Sequence, residues 1–321
     1  MKLKFLMLLC LSINAHAIQK VVYGTDNRVD VAEHPNEGYR TWAKSTAVRI
    51  PISSLETQGD RFLYKKTSLG QSINLCSKER FIDQPDVGEC SGFLVADDIL
   101  VTAGHCAKSL NDCSSNVWVF DYAKDKLTEN YFSKDKVFQC LEVLYQKQDS
   151  NNMADFAIVR LDRSTGRTPL SYRKEGKIED GSSLVVIGYP SGLPAKIDDG
   201  GIVRQNENEV YFKGDLDTFG GNSGSAVFNA KSGEVEGILV RGAVDYIMDP
   251  ELKCKVVNNC KELTNNESCE GEGVTRITLL GLDKYISGEY LNQERPASPF
   301  NNSEPDELEA FIAAFLAAFG N

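Results

Sequence analysis

Three absences limit the function of this 321-residue chain before any motif is considered. It has 35 Lys and Arg against 46 Asp and Glu, a net charge of −11, so it lacks the basic surplus that phosphate binding requires. None of its nine cysteines form a Cys-x-x-Cys pair, which disfavours a zinc site. It also has no apolar run long enough to cross a bilayer. Nucleic acid as a partner, a bound metal and stable membrane insertion are therefore not expected.

The first 17 residues have the features of a secretory signal peptide. Two lysines precede a short apolar stretch, and Ala15-His16-Ala17 has the small-x-small form of a cleavage site. We therefore expect a secreted or periplasmic protein whose mature chain begins at Ile18. Eight cysteines follow that point, and an even number in an exported chain predicts disulfides rather than reduced thiols.

Short apolar runs recur along the chain from residue 21 onward, and polar or glycine-containing turns separate them. Segments with a 3.6-residue period are scarce before the C-terminus, so long helices are not expected there. The pattern predicts an all-β chain, built either as an antiparallel sandwich or as a pair of barrels. Strands are expected at runs that include 93–95, 117–120, 157–161, 184–187 and 235–240.

The C-terminal segment has a different pattern. After a linker rich in Pro, Asn, Ser and Glu, apolar residues from Leu308 to Phe319 recur at the spacing of one helix face. Such a helix is about 20 Å long, too short to span a membrane. It packs on the main domain or contacts a partner or a membrane surface. We expect a signal peptide at 1–17, a main domain at 18–290, and a linker with an amphipathic helix at 291–321.

Three polar side chains have the types that nucleophilic catalysis needs. His105 follows an apolar strand end, Asp155 begins an apolar stretch, and Ser223 lies in a run rich in glycine. A serine nucleophile needs a base with a pKa near 7 and an acid that holds this base in one tautomer. Apart from His16 in the signal segment, the other histidine is His34, in a polar turn with no strand context. His105 is therefore the candidate base.

The motifs around these residues resemble those of the chymotrypsin-like (trypsin-fold) serine proteases, in that family's order of His, Asp and Ser. Segments 21–28 and 188–192 resemble the bacterial branch that includes the glutamyl endopeptidases. The resemblance covers residues 21–290 or so. The main motifs are TAGHC at 102–106, DFAIVRL at 155–161 and GGNSGSAVF at 220–228.

The resemblance implies two six-stranded antiparallel β-barrels, at roughly 40–165 and 180–290, with the active site between them. It assigns Ser223 as the nucleophile, His105 as the general base and Asp155 as the residue that orients the base. The amides of Gly221 and Ser223 are expected to form the oxyanion hole. A protein or peptide substrate is implied, and no cofactor is needed. The alternative is an inactive relative that keeps the fold as a binding or adhesion protein.

The resemblance also pairs Cys90 with Cys106. Three cysteines then remain in each half of the chain, so at least one disulfide joins the halves or at least two thiols stay free. We expect local bonds between Cys113 and Cys140 and within 254–269. Cys76 is expected to cross to the second half.

By the same resemblance, four residues border the substrate: Asp217, Thr218, Leu239 and Arg241. Asp217 lies six residues before Ser223. Trypsin-like enzymes have at this position the acid that binds the Lys or Arg side chain of the substrate. Thr218 suits a glutamate-directed pocket, but such a pocket needs a histidine where this chain has Leu239. Arg241 attracts acidic residues or pairs with Asp217. The first expectation is cleavage after basic residues, with small, apolar or acidic residues as alternatives.

Overall fold

The computed structural model describes residues 22–127, 129–260 and 270–289. The predicted signal peptide and C-terminal helix lie outside these residues. The chain divides after Gly281 into a large unit and a small one, and the described part of the small unit contains the helix Asp283–Ile286. Across the described ranges, no helix has the length and apolar character needed to cross a membrane.

Short strands dominate the first half of the described chain, and six of them close into an antiparallel barrel in the order β3, β8, β10, β11, β7 and β6. Three short helices, Glu37–Ala43, Leu69–Ile73 and Leu110–Ser114, lie between strands. The strands are β1 (Val22–Tyr23), β2 (Val29–Asp30), β3 (Thr46–Pro51), β4 (Leu55–Gln58), β5 (Arg61–Tyr64), β6 (Cys90–Leu94), β7 (Ile99–Thr102), β8 (Asn116–Phe120), β9 (Tyr131–Ser133), β10 (Val137–Gln148) and β11 (Asp155–Leu161).

Side-chain alternation along β8 explains how this barrel packs on both faces. Trp118 and Phe120 lie in the core of the barrel with Phe138 of β10. Val117 and Val119 point the other way, into a second cluster that includes Tyr189 from the other half of the chain. Burying each large apolar side chain contributes about 1.5–3 kcal/mol, so the same strand stabilises the barrel and its contact with the second half.

The second half forms an eight-stranded sheet in the order β14, β15, β21, β17, β16, β12, β13 and β2. An antiparallel bridge between Ser183 and Ile202 joins the segments that lead into β12 and β14, and six strands contribute side chains to the second core. The strands are β12 (Leu184–Gly188), β13 (Lys196–Asp198), β14 (Val203–Gln205), β15 (Tyr211–Gly214), β16 (Ala226–Asn229), β17 (Val235–Arg241), β18 (Tyr246–Asp249), β19 (Cys254–Val257), β20 (Asn259–Cys260) and β21 (Glu272–Arg276).

The all-β prediction is confirmed, and the first barrel is closed with six strands. The N-terminal segment belongs to the second sheet, because β2 pairs with β13 through Asp30 opposite Lys196. The 3-10 helix Gly104–Cys106 follows β7 directly, so it places His105 at the end of a barrel strand.

Three disulfides with both cysteines among the described residues tie these elements together. Cys90 is bonded to Cys106, and Cys113 to Cys140, which matches the expected local pairing. The bond between Cys76 and Cys254 spans 178 residues and joins two polar segments of the sequence, 55–88 and 245–273, which we call the first and second insertions. Cys76 therefore crosses to the second half as the cysteine count suggested. The β18–β19 hairpin also meets the first insertion through the backbone, because Cys76 N–H donates to the Lys255 carbonyl at 2.9 Å.

His34 differs from its sequence-based description. The residue is buried, its Nδ1 accepts the Asn36 N–H at 3.1 Å, and its Nε2 lies 3.3 Å from Asp199 Oδ2. The expectation of an unsupported turn was wrong, because Asp199 lies too far along the sequence for a local pattern to reveal. His34 is thereby occupied in holding the N-terminal segment.

Asp121 is the acid for which we predict a clear pH effect on stability. Burial alone raises its pKa, but hydrogen bonds and charge from Arg167, together with Lys126, hold the pKa well below its usual range. Its stabilising contribution is therefore fully present above the unfolded-state pKa of about 4, and is lost as the pH falls through the lower folded-state pKa. Asp121 has a φ of 60°, which asparagine also tolerates.

We expect Asp121→Asn to lower the free energy of unfolding at neutral pH by about 2 kcal/mol, a value reduced from that of a fully buried pair because the site is partly exposed. The loss should be clearly smaller near pH 2 than at neutral pH, because the unfolded chain is then protonated at this position and the folded state keeps only part of the advantage of the charged form. Urea titrations at both pH values measure the loss in unfolding free energy, and the Asp125→Asn variant, at an exposed position, is the control. An equal loss at both pH values would contradict the ionic origin.

Candidate active site

His105 reaches its position because the residue before it is glycine. A Cβ on Gly104 would lie 2.1 Å from the backbone oxygen of Lys147, so any side chain there would push the helical turn off β10. The Gln146 amide donates to the Gly104 carbonyl at 3.1 Å and fixes the turn from the same strand. The His105 side chain is 28% exposed, which leaves the ring open on one side.

Asp155 holds His105 at two points. Its Oδ2 lies 2.8 Å from His105 Nδ1, and its Oδ1 accepts the His105 backbone N–H at 3.0 Å. Asp155 is buried at the first position of β11, two residues before Ala157, which pairs with Thr102 of β7. A carboxylate that accepts from Nδ1 keeps the proton on that nitrogen and leaves Nε2 free to act as a base.

The segment that carries Ser223 is fixed against β6. The Ser223 carbonyl accepts the Ser91 N–H at 2.8 Å, and Cys106 Sγ lies 3.7 Å from the same oxygen. Ser91 Oγ also donates to the Gly221 carbonyl at 2.8 Å. Because Cys106 follows His105 directly, these contacts bring the serine and histidine segments together.

Sequence reasoning gave Ser91 no role in the site. The structure shows that its hydroxyl also accepts the Tyr189 N–H at 3.1 Å, while Thr102 Oγ1 donates to its carbonyl at 2.7 Å. Ser91 thus connects β7, the segment at Tyr189 and the serine segment. Its position between Cys90 and Gly92 was visible in the sequence, but no local pattern indicated its distant partners.

The backbone amides around Ser223 fall into two groups. Three of them already have acceptors in the protein: Gly220 N–H donates to Asp245 Oδ2, Asn222 N–H to the Phe219 carbonyl, and Gly224 N–H to the Leu239 carbonyl. In the described part of the chain, neither the Gly221 nor the Ser223 amide donates to a protein acceptor. Gly221 has a φ of 91°, and a Cβ there would lie 2.5 Å from the Tyr189 carbonyl oxygen. Two amides that are left for a ligand and are separated by one residue, Asn222, suit an anionic oxygen.

Cys90, His105 and Cys106 form the one group of potential metal ligands found among the described residues. The two cysteines are joined in a disulfide, and disulfide sulfurs are not the thiolates that bind metal. The group therefore does not fit a metal centre. The disulfide instead holds the His105 segment in place, because it bonds the residue after His105 to the first residue of β6.

Asp217 does not occupy the place expected from its position in the sequence. Its two oxygens accept the N–H groups of Tyr23 and Asn27, each at 2.8 Å, so the side chain is turned toward the N-terminal segment. Burial raises the pKa of Asp217 to about 6, although both amides act in the opposite direction. This placement corrects the expected role in binding a basic substrate side chain: the carboxylate instead anchors residues 23–27.

The other three residues expected to bind the substrate lie in three different environments. Leu239 is buried in the second core, where it packs with Phe212 and Val274. Arg241 Nη1 donates to the Met153 carbonyl at 2.7 Å, so its guanidinium lies beside the loop that leads to Asp155 and does not pair with Asp217. Thr218 is buried and its hydroxyl lies 2.5 Å from Glu272 Oε2.

Comparisons with known proteins find one family model and several similar solved structures. Residues 90–238 match the family model described as the trypsin-like peptidase domain. No curated protein sequence matches the chain. The structure of a Glu endopeptidase in complex with MPD is 17% identical, with a TM-score of 0.47 over 85% of this chain and 98% of that one. Vibrio cholerae VesB protease is 11% identical, with a TM-score of 0.47 over 84% of this chain and 68% of that one. The Rv3671c protease from M. tuberculosis in its active form is 14% identical, with a TM-score of 0.44 over 82% and 87%.

Proposed function

We propose that this chain, whose residues 90–238 match the trypsin-like peptidase domain, is a serine endopeptidase that cleaves proteins or peptides through an acyl-enzyme on Ser223. The observation that carries the proposal is the double contact of Asp155 with His105, one through Nδ1 at 2.8 Å and one through the backbone N–H at 3.0 Å. A structural acid at a strand end has no need to fix both the ring and the backbone of a histidine whose neighbour, Cys106, contacts the serine segment.

In the proposed reaction, Ser223 Oγ attacks the carbonyl carbon of the scissile bond while His105 Nε2 takes the hydroxyl proton. The resulting imidazolium is stabilised by Asp155, and it then gives the proton to the departing amine as the C–N bond breaks. Water repeats the sequence on the acyl-enzyme and restores Ser223. Each step moves one proton through His105, so no further acid or base is required.

The Gly221 and Ser223 amides are proposed to bind the negative oxygen of the tetrahedral intermediate. Their lack of a protein acceptor among the described residues supports this role, because an amide already donated elsewhere cannot stabilise a new charge. Preorganised donors of this kind contribute about 3–4 kcal/mol each to the transition state. Gly221 is held in a conformation that only glycine adopts readily, which keeps its amide in place.

We place the enzyme outside the cytoplasm. Disulfides at Cys90–Cys106, Cys113–Cys140 and Cys76–Cys254 support this compartment, because such bonds persist in oxidising surroundings. The signal-like segment at 1–17 predicts the same location. The second candidate is an inactive relative that binds proteins without cutting them.

Covalent labelling decides between the two. A fluorophosphonate probe is expected to modify the folded protein once, with the adduct on the peptide that contains Ser223 by mass spectrometry. His105→Ala should remove the labelling, because the hydroxyl is then not activated, and heat-denatured protein serves as the background control. A folded protein, by circular dichroism, that takes up no probe would reject the enzyme and favour the binding protein.

A further inference from the structure

We infer that Ser191 and Tyr246 are positioning residues for the proposed reaction, and that they keep the Gly221 N–H directed at the oxyanion. The inference rests on the proposed peptidase activity and adds to it two residues that act through the serine segment rather than on the substrate. It also gives the second insertion a part in the active site, because Tyr246 begins the β18–β19 hairpin of that insertion.

The first step concerns the peptide group between Gly220 and Gly221. A trans peptide group is planar, so its carbonyl oxygen and its N–H point in opposite directions. The Gly220 carbonyl accepts the Ser191 N–H at 2.5 Å, and the Gly221 N–H has no protein acceptor among the described residues. Because Ser191 holds the carbonyl, it also fixes the direction of the amide that is proposed to bind the oxyanion.

No side chain on either of its two residues restrains this peptide group. Rotating the group changes ψ of Gly220 and φ of Gly221, and glycine permits far more values of these angles than other residues do. A reversed peptide group would direct the carbonyl oxygen to the place of the N–H, so that it would repel the negative oxygen of the intermediate. The bond from Ser191 therefore selects the orientation in which Gly221 is a donor.

Ser191 donates this bond from an unusual backbone conformation. Its φ of 53° and ψ of 27° lie in the left-handed region, which a residue with a side chain adopts only at a cost. The Ser191 side chain has a partner that offsets this cost, because its Oγ lies 2.8 Å from the hydroxyl oxygen of Tyr246. Tyr246 therefore stabilises the conformation that directs the Ser191 N–H at the Gly220 carbonyl.

Tyr246 is itself held in one position. Its ring packs on the buried ring of Phe219, with 5.2 Å between the centroids, and the Arg28 guanidinium lies 3.7 Å from the centroid of the same Phe219 ring. Burial raises the pKa of Tyr246 to about 12, so its hydroxyl keeps its proton over the pH range of a peptidase assay. Tyr246 thus presents a fixed and neutral hydroxyl to Ser191.

The residue before Tyr246 holds the same part of the serine segment. Asp245 Oδ2 accepts the Gly220 N–H at 2.8 Å, whereas the Gly220 carbonyl is held by Ser191. Both polar backbone groups of Gly220 are thus bound from outside the serine segment. The hairpin is anchored in turn, because its second strand, β19, carries the disulfide to the first insertion.

The test removes the two hydroxyl groups one at a time. We expect Tyr246→Phe and Ser191→Ala each to lower kcat by about 10–10²-fold, with a change in KM below about threefold. A whole oxyanion donor is worth about 10²–10³-fold in kcat, and here the Gly221 donor is misdirected for part of the time rather than deleted. The double variant should be no slower than the slower single variant, because both changes break one hydrogen bond.

Tyr64→Phe is the matched control for Tyr246→Phe. The Tyr64 hydroxyl is also removed from water and donates to the Glu129 carbonyl at 3.4 Å, in the three-stranded sheet of the first half. Its loss should leave kcat unchanged. An equal decrease in kcat in both variants would show that the loss of a buried tyrosine hydroxyl harms the enzyme in general.

A glycine at position 191 should act as a rescue. Glycine has no hydroxyl but adopts a φ of 53° without the cost that a side chain brings. Ser191→Gly should therefore recover most of the kcat that Ser191→Ala loses, and adding Tyr246→Phe to it should change kcat by less than about twofold. A hydroxyl pair that served only the stability of the fold would give no such recovery.

Inhibitors report on the oxyanion site directly. A peptide aldehyde forms a tetrahedral adduct with a reactive serine, whereas the matching peptide alcohol binds without forming one. Both compounds take their sequence from the best substrate in a peptide library. Tyr246→Phe should weaken binding of the aldehyde by about 10–10²-fold, the same factor as for kcat, and leave binding of the alcohol within about threefold.

Three results would overturn the assignment. They are wild-type kcat in both Tyr246→Phe and Ser191→Ala, equal weakening of the aldehyde and the alcohol, and no recovery of kcat in Ser191→Gly. Thermal unfolding identifies a variant that has lost its fold, and the comparison then uses the other single variant. Absence of fluorophosphonate labelling in the wild type would instead reject the proposed peptidase.

Discussion

Replacing Ser223 with alanine is expected to lower kcat for peptide hydrolysis by about six orders of magnitude, because the proposed reaction loses its covalent route. Binding should be little affected, since the Gly221 and residue-223 amides remain and the alanine methyl group fits the same space. Initial rates on a fluorogenic peptide measure the loss, and isothermal titration with a peptide inhibitor measures the retained binding.

Comparing the rates of His105→Ala, Ser223→Ala and the double variant tests whether the two residues act together. Residues that act as one catalytic unit are not additive, so the double variant should be no slower than either single variant. Ser232→Ala, in an exposed turn, is the control serine and should keep wild-type rates. Activity of Ser223→Ala within tenfold of wild type would show that another residue performs the chemistry.

Asp155→Asn is expected to lower kcat by about 10⁴-fold while KM changes little. The two Asp155 oxygens accept hydrogen bonds from the ring and the backbone of His105. An asparagine side chain offers one acceptor and one NH₂ group. If its oxygen keeps the backbone N–H, its NH₂ group faces Nδ1 and stabilises the tautomer whose proton is on Nε2, where the base is needed. Steady-state kinetics and histidine proton NMR together test this explanation.

Asp162→Asn is the matched control for this variant. Asp162 directly follows β11, at the opposite end of the strand from Asp155, and its carboxylate accepts the Gln139 N–H at 2.9 Å. Its replacement should affect stability more than kcat. A decrease in kcat of similar size in both variants would indicate damage to the strand rather than loss of the histidine contact.

The sequence predicted best those features of the site that depend on residues adjacent along the chain. The segments around His105, Asp155 and Ser223 were found because each motif combines one reactive side chain with strand or glycine context that can be read locally. The all-β class followed in the same way from short apolar runs. Asp155 could be paired with His105 only through the family resemblance, since 50 residues separate them.

The residues expected to border the substrate show where a local reading of the sequence ends. Asp217 lies six residues before Ser223, yet its direction is set by amides 190 and 194 residues away in the N-terminal segment. Glu272, which accepts a hydrogen bond from the Thr218 hydroxyl, appears in the sequence as one acid among 46, between two glycines. Only the pairing of β21 with β17 brings it to Gly242, and only the fold of the serine segment brings it to Thr218.

The bond between Cys76 and Cys254 makes most of this molecule a covalent ring. Residues 105, 155 and 223 all lie inside it, so a single backbone cut anywhere between the two cysteines opens the ring without releasing a fragment. A proposed peptidase that nicks its own copies would therefore keep its mass and its three reactive side chains in one molecule. Self-digestion within the ring would become visible on a gel only after reduction, so samples run without reductant would overstate how much of the protein is intact.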